Sequence, residues 1–214
     1  MKHIKTKSLV KILKGTHTIA TIMNLLGVNK QKAVYYIYKL RKEGYIKTRR
    51  LSNNKRLYYI SLQNKFGGRS YTAILNENSP IKLAESETYI IYDREPSLEE
   101  VLVYAVKSKQ IRIILSSLWL FKKIKNWKRL YNLAKQNNLL RQICALYDLA
   151  RTLFKTRRIK QRFITLCNPK KKDMFLYIIP EMKSKDYKSI EKRWRVYIPF
   201  NNVDFEEYLK NDKH

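Results

Sequence analysis

Residues 28–61, VNKQKAVYYIYKLRKEGYIKTRRLSNNKRLYYIS, constrain the fold more tightly than any other stretch. Their spacing predicts a helix, an abrupt stop, a strand, a polar turn and a second strand. Asn29 is placed to cap the helix, because its side-chain oxygen can accept from the free N–H groups of the first turn. Ala33, Ile37 and Leu40 recur at helical spacing and predict a buried stripe. Gly44 is suited to end the helix, where a chain often passes through left-handed backbone. Residues 46–51 and 56–61 alternate as two strands around the polar Ser52-Asn53-Asn54-Lys55.

The helix face away from that stripe carries Lys30, Gln31, Val34, Tyr35, Tyr38, Lys39 and Lys42, with Lys32 beside it. A solvated helix face usually mixes charge signs, yet this one meets no acid before Glu43. The hairpin adds Lys47, Arg49, Arg50, Lys55 and Arg56, again without an acid. A helix and a β-ribbon carrying one sign of charge suit the phosphates of a duplex. The rings of Tyr35, Tyr36 and Tyr38 can read bases or pack under the hairpin. Tyr36 adjoins the buried stripe and is assigned to the core.

The formal net charge is +29, far from the near-neutral balance of most soluble domains, and it favours a polyanionic partner. A lysine-rich composition bias would spread such charge evenly. Instead residues 1–66 hold 16 Lys and Arg against 1 acid, and residues 101–214 hold 27 against 9. Residues 67–100 hold 3 against 7, so a net acidic segment separates two basic ones. That break predicts a domain junction near 62–97. Hydrophobic residues make up 44% of the chain, enough for a genuine core.

Upstream, Leu9, Ile12 and Leu13 share one face of a short first helix ended near Gly15. Thr18 caps a second helix over 19–26, and Gly27-Val28 makes the turn into the long one. Helix, helix, tight turn, helix and two-stranded wing is the order of a winged helix-turn-helix. The run TIATIMNLLGVNKQKAVYYIYKLRKEGYIKTRR resembles the DNA-binding half of prokaryotic winged-helix regulators over about the first 62 residues. In such modules the third helix enters the major groove and the preceding helix crosses the backbone. The resemblance implies that Lys30, Gln31, Val34, Tyr35 and Tyr38 reach base edges. Lys39, Lys42, Arg49, Arg50 and Arg56 are then placed for phosphates, which add affinity without sequence information. Lys32, Lys47 and Lys55 complete the expected DNA-binding set.

Residues 63–97 read as a connector with short strands at 71–75 and 88–92 and a turn at 76–80. Gly67-Gly68 lacks the Gly-Lys-Ser/Thr ending of a phosphate loop and reads as a turn. Ser97-Leu98-Glu99-Glu100 is a capping box that opens a helical region reaching about residue 160. Apolar periodicity marks four helices there, through Leu102, Leu115, Leu130 and Cys144 respectively. This stretch, from Ser97 to Arg151, resembles the C-terminal helical region of AbiEi-type antitoxins, archaeal-like in character. The matching residues are Glu100, Leu102, Val103, Trp127, Leu130, Ala134, Lys135, Arg141, Leu146 and Tyr147. Such antitoxins join a winged helix to a domain of this kind, in the same order. The resemblance implies autorepression and opposition to a nucleotidyltransferase-type toxin. The chain departs from the bacterial pattern in its long basic tail and short connector.

The tail opens with KTRRIKQRF, in which Lys155, Arg157, Arg158, Lys160 and Arg162 form either a second phosphate-contacting patch or a solvated helix end. Strands are expected at 175–179 and 193–199 and a last short helix at 204–209. Trp194 and Tyr197 either stack on a base or pack in the core.

No catalytic constellation emerges. His3, His17 and His214 neighbour no acid or cysteine at metal spacing, and paired carboxylates for two metals are missing from the pattern. Cys144 and Cys167 lie in apolar runs without a Cys-x-x-Cys pair, which predicts reduced thiols rather than a zinc site or disulfide framework. The longest apolar run, 113–121, is too short for a bilayer, and the N-terminus has no apolar signal core.

The expected fold is α+β: an N-terminal winged helix-turn-helix over 1–62, the connector over 63–97 and a mainly helical domain with a few short strands over 98–214. The expected function is sequence-specific duplex-DNA binding by a cytoplasmic transcription regulator of the AbiEi-like antitoxin kind, without enzymatic activity, cofactor, metal or membrane. Double-stranded DNA, a second copy of the chain and a toxin are the expected partners. Two alternatives are an antitoxin that works through protein contact alone and an RNA-binding protein.

Overall fold

The computed structural model describes residues 6–52, 54–62, 67–84, 90–92, 94–170 and 172–210. It is an α+β protein, and the chain divides into two compact units, Met1–Ser70 with Thr88–Glu95 and Tyr71–Glu87 with Pro96–His214.

In the first unit the elements are α1 (Thr6–Ile12), β1 (Gly15–His17), α2 (Ile19–Leu26), α3 (Lys30–Lys42), β2 (Ile46–Arg50) and β3 (Arg56–Ile60). Thr18 caps α2 by accepting from the Thr21 N–H, and Asn29 caps α3 by accepting from the Lys32 N–H at 2.9 Å. Each bond satisfies one of the first-turn donors that a helix leaves open. Gly44, at φ 80, turns the chain out of α3. The ring of Tyr92 lies against it so closely that a Cβ there would meet ring carbons at 2.7–2.9 Å. Hydrogen bonding joins the strands in the antiparallel order β1-β3-β2. Strand β1 had no sequence signal: three residues after a short helix carry no readable alternation.

The core of this unit draws Leu9, Val10 and Leu13 from the N-terminal segment, Ile22 from α2, and Ala33, Tyr36, Ile37 and Leu40 from α3. Ile46, Tyr58 and Ile60 close it from the sheet. The predicted stripe is thus buried, and Tyr36, 3% exposed, belongs to it. A second two-stranded pair joins the same unit: β4 (Arg69–Ser70) runs antiparallel to β5 (Ile90–Ile91).

The second unit holds α4 (Tyr71–Asn78), α5 (Leu98–Ser108), α6 (Ile111–Ser117), a 3₁₀ segment (Leu118–Lys122), α7 (Trp127–Gln136) and α8 (Leu140–Leu153). After these come α9 (Gln161–Cys167), β6 (Leu176–Tyr177), α10 (Lys188–Trp194), β7 (Val196–Tyr197) and α11 (Val203–Lys210). Helix α8 is the centre. Its residues 142–150 are all buried, and α5, α7, α9, α10 and the 3₁₀ segment pack around it. The Ser97 capping box forms as expected: Ser97 Oγ accepts from the Glu100 N–H, and Glu100 Oε2 accepts from the Ser97 N–H at 3.0 Å.

Four expectations change. Residues 71–75 form the start of helix α4 rather than a strand, because Thr72, Ile74 and Leu75 are buried and the helix packs on α5 and α6. The turn expected at 76–80 therefore begins only after Asn78. The strand expected at 193–199 shrinks to Val196–Tyr197, since α10 runs to Trp194 and Arg195 takes left-handed backbone at φ 51. The helical region stops at Leu153, short of 160, and α9 follows separately. The strand expected at 88–92 is β5, with 88 and 89 outside the described residues; that at 175–179 is β6, pairing parallel with β7.

Candidate nucleic-acid interface

Helix α3 is fully packed on one side and open on the other. Val34, Tyr35 and Tyr38 are 50%, 48% and 51% exposed. Lys30, Gln31 and Lys42 are exposed on the same open side, and Lys32 and Lys39 are half-buried at its margins. These three apolar or aromatic side chains therefore form a group left half in water on an ordered helix.

The hairpin distributes its cations by strand alternation. Ile46, Thr48 and Arg50 point to one face of β2, and Lys47 and Arg49 to the other. Register puts Arg50 directly opposite Arg56, and Lys47 opposite Tyr59. Like charges directly opposed across a pair destabilise it, so the Arg50–Arg56 pair is relieved by any anion between them. Lys47, Arg49, Arg50, Lys55 and Arg56 are all exposed. Among the described residues Lys30, Lys42, Lys47, Arg49, Arg50 and Arg56 make no ion pair. Glu43, the one acid in the first 66 residues, accepts a hydrogen bond from Thr6 Oγ1 at 2.8 Å.

A concavity of 580 Å³ lies beside the hairpin, lined by Arg41, Ile46, Lys47, Thr48, Arg56, Gly67 and Tyr92. Arg41 was not among the expected site residues. Its Nη2 donates to Thr48 Oγ1 at 3.0 Å, which ties the end of α3 to β2 and brings a further guanidinium to Lys47 and Arg56. Its helical position, four after Ile37 at the edge of the buried stripe, was the available signal. Tyr92 had none, because it reaches the site from the position just after β5, far along the chain. Lys30, Gln31 and Arg49 lie outside this concavity, on the open helix side and the outer face of the hairpin.

The second expected patch is divided. Lys155, Arg157, Arg158, Lys160 and Arg162 are all exposed, but α8 has ended before the first of them. Tyr147 anchors their strap: its hydroxyl donates to the Arg157 carbonyl at 3.1 Å and accepts from the Ile159 N–H at 2.9 Å. Lys160 and Arg162 line a groove of 760 Å³ against α7, and the other three do not. Trp194 is 1% exposed, with its indole N–H donating to Asp148 Oδ2 at 2.7 Å, so it packs in the core. Tyr197 lies between Phe175 and Tyr177, at 5.0 and 4.6 Å between ring centroids.

Among the described residues no three His, Cys, Asp or Glu side chains group as metal ligands. No described helix is long and apolar enough to cross a membrane. No protein-family model, curated protein or solved structure matches the chain.

Proposed function

We propose that the first unit is a winged helix that binds duplex DNA and that the protein is a sequence-specific transcription regulator acting in the cytoplasm. The observation that carries this reading is the open side of α3. Half-exposed Val34, Tyr35 and Tyr38 stand there among Lys30, Gln31 and Lys42, beside a hairpin whose Arg50 and Arg56 oppose each other without an acid. In this reading α3 lies in the major groove, about 12 Å wide, where Gln31 pairs with adenine, Lys30 with guanine and Val34 meets a thymine methyl. The hairpin is the wing, and Arg49, Arg50 and Arg56 hold phosphates. A two-fold operator then takes a homodimer or two copies of the chain.

The specific form of the proposal is an AbiEi-like antitoxin that represses its own operon and engages a nucleotidyltransferase-type toxin. Its support is the resemblance over residues 97–151. Co-purification with a protein encoded next to it tests that part by itself.

The duplex reading is tested by recovering genomic fragments on the full protein at about physiological salt against bulk competitor DNA. One recurrent inverted repeat is expected. Arg49→Glu/Arg50→Glu should weaken binding to every duplex and flatten the plot of log K against log salt by about 2, at roughly 0.9 for each phosphate no longer neutralised. Gln31→Ala should instead reduce the preference for the repeat by about 1–3 kcal/mol, the worth of one good base contact. Wild-type behaviour of both variants would falsify the reading, and tighter binding to RNA than to duplex at equal salt would move the partner to RNA.

A further inference from the structure

The second unit carries a separate cationic groove that the duplex reading does not use. It runs between α7 and the start of α9 and has a volume of 760 Å³. Lys125 and Lys128 come from the first turn of α7 and the residues before it. Lys160 and Arg162 come from the matching part of α9. All four are exposed, and among the described residues none of them makes an ion pair. Four unneutralised cations around one groove attract an anion.

The floor is aromatic. Trp127 and Phe163 are 8% and 5% exposed, with ring centroids 6.4 Å apart. Tyr131 is half-buried beside them, its ring 5.5 Å from Phe163 at an interplanar angle of 78°. Leu166, 52% exposed, forms an apolar wall. Asn132 is exposed at the rim, its amide unbonded within the described residues. A planar apolar ring fits against Tyr131 and Leu166, and phosphates fit the four cations. That combination is the chemistry of a nucleotide.

We propose that this groove binds an unpaired strand of nucleic acid, with a base held against Tyr131 and the backbone on Lys125, Lys128, Lys160 and Arg162. A strand is favoured over a free nucleotide because no buried charged side chain lines the groove to grip one phosphate. Exposed cations gain most from a polyanion that releases counterions at several of them together. The strap that delivers Lys160 and Arg162 also carries exposed Arg157 and Arg158 and is pinned by Tyr147, so the cationic track continues beyond the groove. This site stands whether or not the first unit binds a duplex.

The test uses the full chain carrying Arg49→Glu/Arg50→Glu, which removes wing cations from competition, and a fluorescein-labelled oligothymidylate followed by anisotropy. Lys125→Glu/Lys128→Glu/Arg162→Glu should lower affinity at least tenfold. Lys185→Glu/Lys188→Glu/Lys192→Glu changes the net charge equally at exposed positions outside the groove and should change affinity less than threefold. Tyr131→Ala should cost about tenfold and Tyr131→Phe less than twofold, because stacking needs the ring and not the hydroxyl. Equal losses in the two charge-reversal variants would overturn the site, leaving only bulk charge. So would wild-type affinity in Tyr131→Ala. Thymidine monophosphate binding as tightly as the oligonucleotide would overturn the strand in favour of a free nucleotide. Circular dichroism of each variant separates loss of binding from loss of fold.

Discussion

Tyr187 is 8% exposed, and its hydroxyl donates to Asn202 Oδ1 at 2.6 Å. Burial, and after it the carboxylates of Asp186 and Asp204, push its phenol from 10.0 up to about 12. The folded chain therefore holds the proton over a range in which the unfolded chain has released it. Its stabilising share is complete below pH 10 and is lost as pH rises through 12. Tyr187→Phe should cost about 1 kcal/mol near pH 7, the usual worth of one hydrogen bond. The gap to wild type in urea unfolding should then narrow, comparing pH 8 with pH 11. A gap constant with pH would mean that the phenol is not held neutral by the fold. Two buried carboxylates of the second unit, Asp148 and Glu191, are satisfied rather than poised. Asp148, 8% exposed, accepts from Arg193 and from the Trp194 indole, at 2.8 and 2.7 Å. Glu191 Oε1 accepts from the Ser184 and Ile198 N–H groups, at 3.1 and 2.8 Å. Burial, the adjacent Cys167 thiol and Asp148 raise the Cys144 thiol, so no reactive thiolate forms there near neutrality.

At the scale of elements, the turn after α3 decides where the hairpin begins. Gly44→Ala places a side chain in left-handed backbone, at about 1–2 kcal/mol, and drives its Cβ into the Tyr92 ring as well. Gly27, at φ 60, has nothing within 4 Å of the same position, so Gly27→Ala carries the backbone cost alone. Denaturant titration should show the larger loss at Gly44, and equal losses would mean that Tyr92 yields freely. Both turns were legible in the sequence, as were the Thr18, Asn29 and Ser97 caps, because each rests on a local bond between residues three apart. The open side of α3 was legible too, since helical spacing alone separates Gln31 and Tyr38 from Ile37 and Leu40. Longer-range structure was not. Tyr71, Thr72 and Ile74 favour a strand by type, and only the surfaces of α5 and α6 turn that segment into a helix. In α9 the basic run drew attention from Phe163 and Cys167, four apart and both buried, which mark its inner face. Tyr92 joined the candidate site through tertiary contact, which no window of sequence contains, whereas the helical position of Arg41 was the one signal for it.

At the scale of the whole molecule, a net charge of +29 leaves open whether nucleic acid is held at defined places or drawn in by bulk attraction. Ionic strength separates the two. Screening reaches about 30 Å at 0.01 M salt and about 8 Å at 0.15 M, so cations that touch no phosphate act at the lower salt and fade at the higher. In the proposed duplex reading Arg49 and Arg50 touch phosphate, so their effect appears as a change of salt slope through counterion release and is still measurable at the higher salt. With a duplex as ligand, Arg49→Glu/Arg50→Glu and Lys125→Glu/Lys128→Glu/Arg162→Glu should both weaken binding at about 0.01 M. At about 0.15 M only the wing variant should remain weaker, with a slope against log salt reduced by about 2. With an unpaired oligonucleotide the order should reverse. A fall of the duplex slope in the groove variant at the higher salt would overturn the separation of the two sites. Identical behaviour of both variants on both ligands would leave the charge as a diffuse attractor, and the open side of α3 would then need a protein partner to cover it.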